Sequence, residues 1–247
     1  MYNKNDFNSI KLPSNRRMSA LALLLMVIMS LVWPVEGISV LRNELGAFIG
    51  TACLLLLVNW RLKKDGLGFS QLLSESTEGK FNARMRRVFK LFLLYLAVFI
   101  LAYYLIYSGF AVGESLSNGK LLKLSSLEIF TLNGKMQKNQ HMLNLFHLAP
   151  LWWFFWLVCM APFFEELFFR RFLYTAVRKK YGFAVSLTVT SGLFGLIHAP
   201  ALLAVLATTM LGCFLGCLYE KQKDFCANVA FHALNNVFTL FIFWIMK

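Results

Sequence analysis

An all-α, polytopic membrane bundle of about seven transmembrane helices is predicted for this chain of 247 residues, on three observations. Residues of the set AVILMFWYC make up 58% of it and charged residues only 15%, with a mean hydropathy of +0.60. A soluble domain carries about 45–50% apolar and about 25% charged residues. The apolar residues come in runs approaching the roughly 20 that a helix needs to cross a hydrocarbon core of about 30 Å. The basic residues behind the formal charge of +13 lie between those runs rather than in a separate polar domain. An ordinary soluble enzyme, a disordered tail, a collagen-like repeat and a secreted disulfide scaffold are excluded, and no nucleic-acid partner is expected.

Polar residues 1–17, with Lys4, Lys11, Arg16 and Arg17, look like the start of a signal peptide. No small-residue cleavage site follows, so the first run, 19–33, is kept as an anchor. The second run, 45–60, is bounded by Glu44 and Arg61, and the third is 88–108. A polar connection rich in Lys, Asn, Ser and Gly fills 109–144. Beyond it come the aromatic run 145–164, then 183–198, 201–219 and 228–246. Residues 1–144 form an amino-terminal set of helices and a polar loop without motifs, and 145–247 form a second unit. With the amino terminus inside, 19 of the 25 Lys and Arg residues fall on the cytoplasmic side, which favours an N-in, C-out topology. The cluster 80–90 belongs to that orientation signal. Cys53, Cys159, Cys213, Cys217 and Cys226 show no CxxC spacing and are taken as packing residues. Gly212 and Gly216 beside two of them make a small-residue stripe for close helix packing.

The segment 161–171, APFFEELFFRR, sets two carboxylates and a guanidinium among phenylalanines. Ionisable groups at membrane depth cost several kcal/mol unless paired or wetted, so they are functional candidates. On a helix Glu166 and Arg170 stand at i and i+4 and can pair, while Glu165 turns about 100° away. One acid is held and the other is available. Pro162 lacks an N–H, which predicts a kink or local opening just before the pair. The competing reading ends the fourth span at these acids, with Arg170 and Arg171 as interfacial anchors. Two further patterns weigh against it: Phe194 and His198 at i and i+4, and His232 and Asn236 at i and i+4, each on one helical face. A carboxylate that takes a proton from water, a histidine that positions the water, and a second histidine with an amide that binds an oxyanion suit peptide hydrolysis.

The three elements EExxxR, FxxxH and HxxxN, in this order and each beside an apolar span, resemble the CPBP intramembrane protease family. That family includes the type II CAAX prenyl endopeptidases and bacterial, Abi-like bacteriocin-processing and self-immunity proteins. The resemblance covers roughly residues 150–240 and implies that 145–247 is a helical catalytic core. It implies an intramembrane endopeptidase in which Glu165 is the base with Glu166 beside it and Arg170 completes the first motif. It implies further that His198 joins Glu165 in activating water, and that His232 with Asn236 stabilises the oxyanion. Many members have glycine after the motif arginine, where this chain has Arg171. The substrate implied is a membrane-associated peptide or protein, and the location a bacterial cell membrane with the amino terminus in the cytoplasm.

The alternative from another class is a non-catalytic immunity or regulatory membrane protein that retains the motifs. A third reading, a proton- or cation-coupled relay, has no inverted repeat to support it. Metal use is left open: two His and two carboxylates could bind zinc, but no HExxH is present, and a metal-independent glutamate mechanism is favoured. In this topology Glu165 and His232 fall in the cytoplasmic half. His198, about 22 Å from Phe183, falls toward the far side, so the fifth span is expected to start above the membrane, tilt strongly or be re-entrant.

Overall fold

The computed structural model describes residues 7, 10, 40–64, 66–72, 81–116, 149–198 and 202–245. The predicted first span, 19–33, and most of the polar connection 109–144 lie outside them. The described chain is a helical membrane bundle: α1 Val40–Lys63, α2 Phe81–Leu116, α3 Pro150–Lys180, α4 Phe183–Ile197, α5 Leu202–Gln222 and α6 Phe225–Ile245. Among the described residues Arg42–Lys63, Pro150–Lys180, Ala204–Gln222 and Phe225–Ile242 are long and apolar enough to cross a membrane, whereas α4 has only 15 residues.

The beginning of α3 is fixed by a partner more than a hundred residues away. Pro150 occupies the first turn, where a missing N–H costs nothing. The next two amides, of Leu151 and Trp152, donate to the buried Glu44 carboxylate of α1 at 2.7 and 2.8 Å. A carboxylate there satisfies donors the helix cannot use and meets the positive end of its dipole. Trp152 Nε1 then donates to Thr51 Oγ1 at 2.9 Å. Trp152, Trp153 and Trp156 are consequently core residues between α1 and α3.

Glycines set the spacing of α4 and α5. A Cβ on Gly212 would lie 3.0 Å from Ser191 Cα, and one on Gly195 would lie 1.9 Å from Thr209 Oγ1. The two backbones approach closely, as the small-residue stripe predicts, and Cys213 and Cys217 are free thiols beside it. On the other side α6 packs on α2 through Phe231 against Phe92 and Tyr95, and an Arg84–Asp224 ion pair ties the start of α2 to the turn before α6.

Two boundaries differ from expectation. Helix α2 continues through Leu116 rather than yielding to a polar connection at residue 109. The fourth span does not end at 164: α3 runs on to Lys180 with both acids near its middle. The two acids look like a helix end in the sequence, but Glu166 is paired with Arg170 inside the bundle and the helix continues past both. This also removes the depth conflict. Glu165 lies 15 residues before Lys180 and His198 lies 15 residues after Phe183, so both stand about 22 Å from the turn at 181–182. No re-entrant α4 is required. His232 reaches the same level because α6 starts deep in the bundle, with Phe225 packed 5.4 Å from Phe163.

Candidate active site

The backbone of α3 opens on both sides of the acids. Trp156–Met160 and Leu167–Tyr174 are π-helical and flank the α-helical stretch Ala161–Glu166. The first widening lies just before Pro162, where the missing N–H predicts a local opening. Such widenings recur at functional sites because they reorient side chains and uncover carbonyls.

Glu166 is fully buried and saturated. Its Oε1 accepts from Arg170 Nη1 at 3.1 Å and from His232 Nδ1 at 2.9 Å, and its Oε2 accepts from Asn228 Nδ2 at 3.2 Å. Arg170 is held in turn by the Gly212 carbonyl, 3.2 Å from Nη2, and by the Phe194 ring, 4.6 Å from Cζ. The i,i+4 pair expected between Glu166 and Arg170 is present, and a buried pair with further hydrogen bonds to both partners is tolerable where a bare charge is not.

Glu165 is turned away from this network. Its Oε2 lies 3.3 Å from His198 Nε2 and 3.7 Å from His232 Nε2, and that oxygen is buried without a hydrogen-bond partner. The other nitrogen of each imidazole is committed. His198 Nδ1 sits 2.7 Å from Phe194 O, which can only accept, and His232 Nδ1 sits on the Glu166 carboxylate. Both Nδ1 atoms therefore donate, and both Nε2 atoms are left to exchange protons with Glu165. Side-chain exposures of 25% for Glu165 and 29% for His198, against 4% for His232, give the cluster one open side, formed by the first two.

Phe194 explains its place in FxxxH. It is fully buried, with its ring 4.4 Å from the His198 ring, 5.7 Å from the His232 ring and 5.1 Å from the Phe169 ring. It packs on Arg170 as well as on both histidines. His198 itself caps the end of α4, its backbone N–H bonded to Gly195 O at 3.1 Å.

Glu165, Glu166, Arg170, His198 and His232 thus lie together, whereas Asn236, one turn beyond His232, is bonded elsewhere. Asn236 Nδ2 donates to the Leu157 carbonyl at 2.7 Å. Arg170 and Arg171 are both buried, which goes against the competing reading of them as interfacial anchors. Asn228, fully buried and bonded also to Leu215 O at 2.8 Å, was not singled out. The signal for it was available: Asn228, His232 and Asn236 recur every four residues and form one polar stripe on α6. Among the described residues no group of three or more His, Cys, Asp or Glu side chains is arranged to hold a metal ion.

Residues 147–238 match the family model described as type II CAAX prenyl endopeptidase Rce1-like. No curated protein and no solved structure matches the chain.

Proposed function

We propose, from the match of residues 147–238 to the family model of Rce1-like type II CAAX prenyl endopeptidases, that this protein is an intramembrane endopeptidase working by glutamate- and histidine-activated water. The observation that carries the reading is Glu165 Oε2, a buried oxygen lacking a hydrogen-bond partner between two imidazole Nε2 atoms whose orientation is fixed from behind. A water seated between Glu165 and His198 gives a proton to the carboxylate as its oxygen attacks the scissile carbonyl carbon. The carbonyl π pair moves onto oxygen, where a protonated His232 Nε2–H donates to it. Collapse of the tetrahedral intermediate breaks the C–N bond, and the leaving amine takes the proton from Glu165. Glu166 orients His232 and does not touch the reacting atoms. Withdrawal of the water into an apolar, preorganised setting strengthens each of these contacts.

The substrate is a membrane-associated peptide or protein with a lipidated or amphipathic end, because Glu165 and His198 lie about 22 Å from the turn at 181–182, beside helices long enough to cross a membrane, and the cluster is reached from within the bilayer. The end of the bundle bearing Arg178, Lys179, Lys221 and Lys223 faces the cytoplasm in this reading. The bond from Lys179 Nζ to Ile10 O, at 2.7 Å, supports a cytoplasmic amino terminus in this reading.

The test is cleavage of a farnesylated CAAX peptide by purified protein in micelles, with the new termini identified by mass spectrometry. Glu165→Gln keeps the shape and removes the base, and is expected to lower the rate about 10²–10⁴-fold. Equal cleavage by the two proteins refutes the assignment. A cellular effect that persists in Glu165→Gln without any cleavage would point instead to an immunity or regulatory role.

A further inference from the structure

Pro162 and Asn236 lie on different helices, yet the hydrogen bonding of α3 links them. The N–H of Ala161 donates to Trp156 O, five residues back. In that register the Leu157 carbonyl awaits the N–H of residue 162, and in the ordinary α register it would take the N–H of Ala161. The first donor does not exist, because residue 162 is proline, and the second is committed to Trp156. The backbone thus leaves Leu157 O over, and Asn236 Nδ2 reaches across from α6 to donate to it at 2.7 Å.

We infer that Asn236 is a positioning residue, and that the carbonyl released by Pro162 is the fixed point that holds α6, and with it His232, in register against Glu165 and Glu166. The site lies one turn away: His232 precedes Asn236 by four residues on the same face, with its Nδ1 on Glu166 and its Nε2 toward Glu165. Sliding α6 by one residue would move His232 about 1.5 Å along the axis and part it from both acids. A direct oxyanion contact, which the sequence resemblance implies for this amide, would have to use whatever donor capacity the brace leaves. The effect on cleavage rests on the proposed protease reading, but the brace itself does not.

A double-mutant cycle separates the two roles. Pro162→Ala gives Leu157 O a backbone donor in either helical register, from residue 162 or from residue 161. Four proteins, native, Pro162→Ala, Asn236→Ala and the double variant, are compared in micelles by thermal unfolding and by kcat and KM on the farnesylated peptide. Asn236→Ala alone is expected to lower the unfolding midpoint and to reduce kcat about 10–100-fold with KM little changed, the size of effect seen when a group orienting a reactive residue is removed. In the Pro162→Ala background both penalties are expected to shrink, the loss in kcat to about threefold or less. Equal penalties in the two backgrounds would overturn the proposal, and equal kcat losses without any change in unfolding would assign Asn236 to the reacting atoms. Should the native protein leave the peptide intact, the protease reading fails, while the unfolding data still decide the brace: coupled shifts uphold it and additive shifts refute it. Asn236→Ser, which keeps a shorter donor, takes the place of the alanine variant if that one does not fold.

Discussion

Helix α3 carries two buried charge clusters that share their ingredients and differ in one respect. Near its end Arg178 grips Glu220 of α5 through Nε at 3.1 Å and Nη2 at 3.0 Å, and Tyr174 donates to Glu220 Oε2 at 2.6 Å. Both carboxylate oxygens are held, and Phe7 closes the cluster, its ring 6.0 Å from that of Tyr174 and 5.3 Å from Arg178 Cζ. Near the middle Glu166 is held just as fully, but its neighbour Glu165 is left facing two imidazoles with an oxygen unmatched. Burial of charge is common to both clusters, so burial alone does not mark a working site. An unmatched acceptor beside groups able to move protons does.

That contrast is broken most sharply by exchanging the two kinds of damage. Glu165→Gln is expected to cost about 10²–10⁴-fold in cleavage and to leave the unfolding midpoint in micelles nearly unchanged. Glu220→Ala is expected to do the reverse. It takes from the buried Arg178 the carboxylate that its Nε and Nη2 engage, a loss of about 3–5 kcal/mol in unfolding free energy, with the cleavage rate per folded molecule within about twofold of native. Denaturant unfolding and active-fraction kinetics on the same preparations check both. If Glu220→Ala silenced folded protein, the two clusters would have to act as one.

Asn228 stands between these extremes and sharpens the comparison. Its Nδ2 holds Glu166 Oε2 from outside the reacting groups, so Asn228→Leu leaves a buried carboxylate oxygen short of a donor. The expected outcome is mixed: about 1–3 kcal/mol of stability and about 10–100-fold in kcat, with KM little changed. The ¹⁵N shifts of His232 would show Nδ1 no longer held as the protonated nitrogen. A stability loss with unaltered ¹⁵N shifts and kcat would make Asn228 a packing residue only.

How much of this was legible in the sequence depends on how far each partner lies along the chain. The Glu166–Arg170 pair and the one-face placement of Phe194 with His198 follow from helical spacing, since residues four apart must meet. Bringing those faces together needed three elements to be recognised at once. What escaped were the long-range satisfactions. Glu44 looked like the end of a span because nothing nearby announces an amide 107 residues later. The two acids likewise cut the fourth span short, because Asn228 and His232, which with Arg170 make Glu166 acceptable inside a helix, lie more than 60 residues away. Local rules describe a helix end and a buried, paired acid in the same way, and only the fold separates them.

The amino-terminal segment supplies the gentlest probe of the saturated cluster. Phe7 is 1% exposed, packed on Tyr174 and Tyr219 with Arg178 and Lys223 against its ring, and Ile10 O accepts from Lys179. These contacts join Phe7 and Ile10 to an assembly in which Arg178 and Tyr174 already engage Glu220. Phe7→Ala removes aromatic and cation–π contacts together worth about 1–3 kcal/mol, so it is expected to release the segment locally. Hydrogen exchange in the peptide containing Phe7 and Ile10 should quicken about tenfold or more, since each 1.4 kcal/mol is a factor of ten. The unfolding midpoint of the bundle and the cleavage rate should stay within error, because Arg178, Tyr174 and Glu220 satisfy one another without the ring. A midpoint that falls as far as that of Glu220→Ala would show instead that the ring is part of the cluster's foundation, and that the end of α3 depends on Phe7.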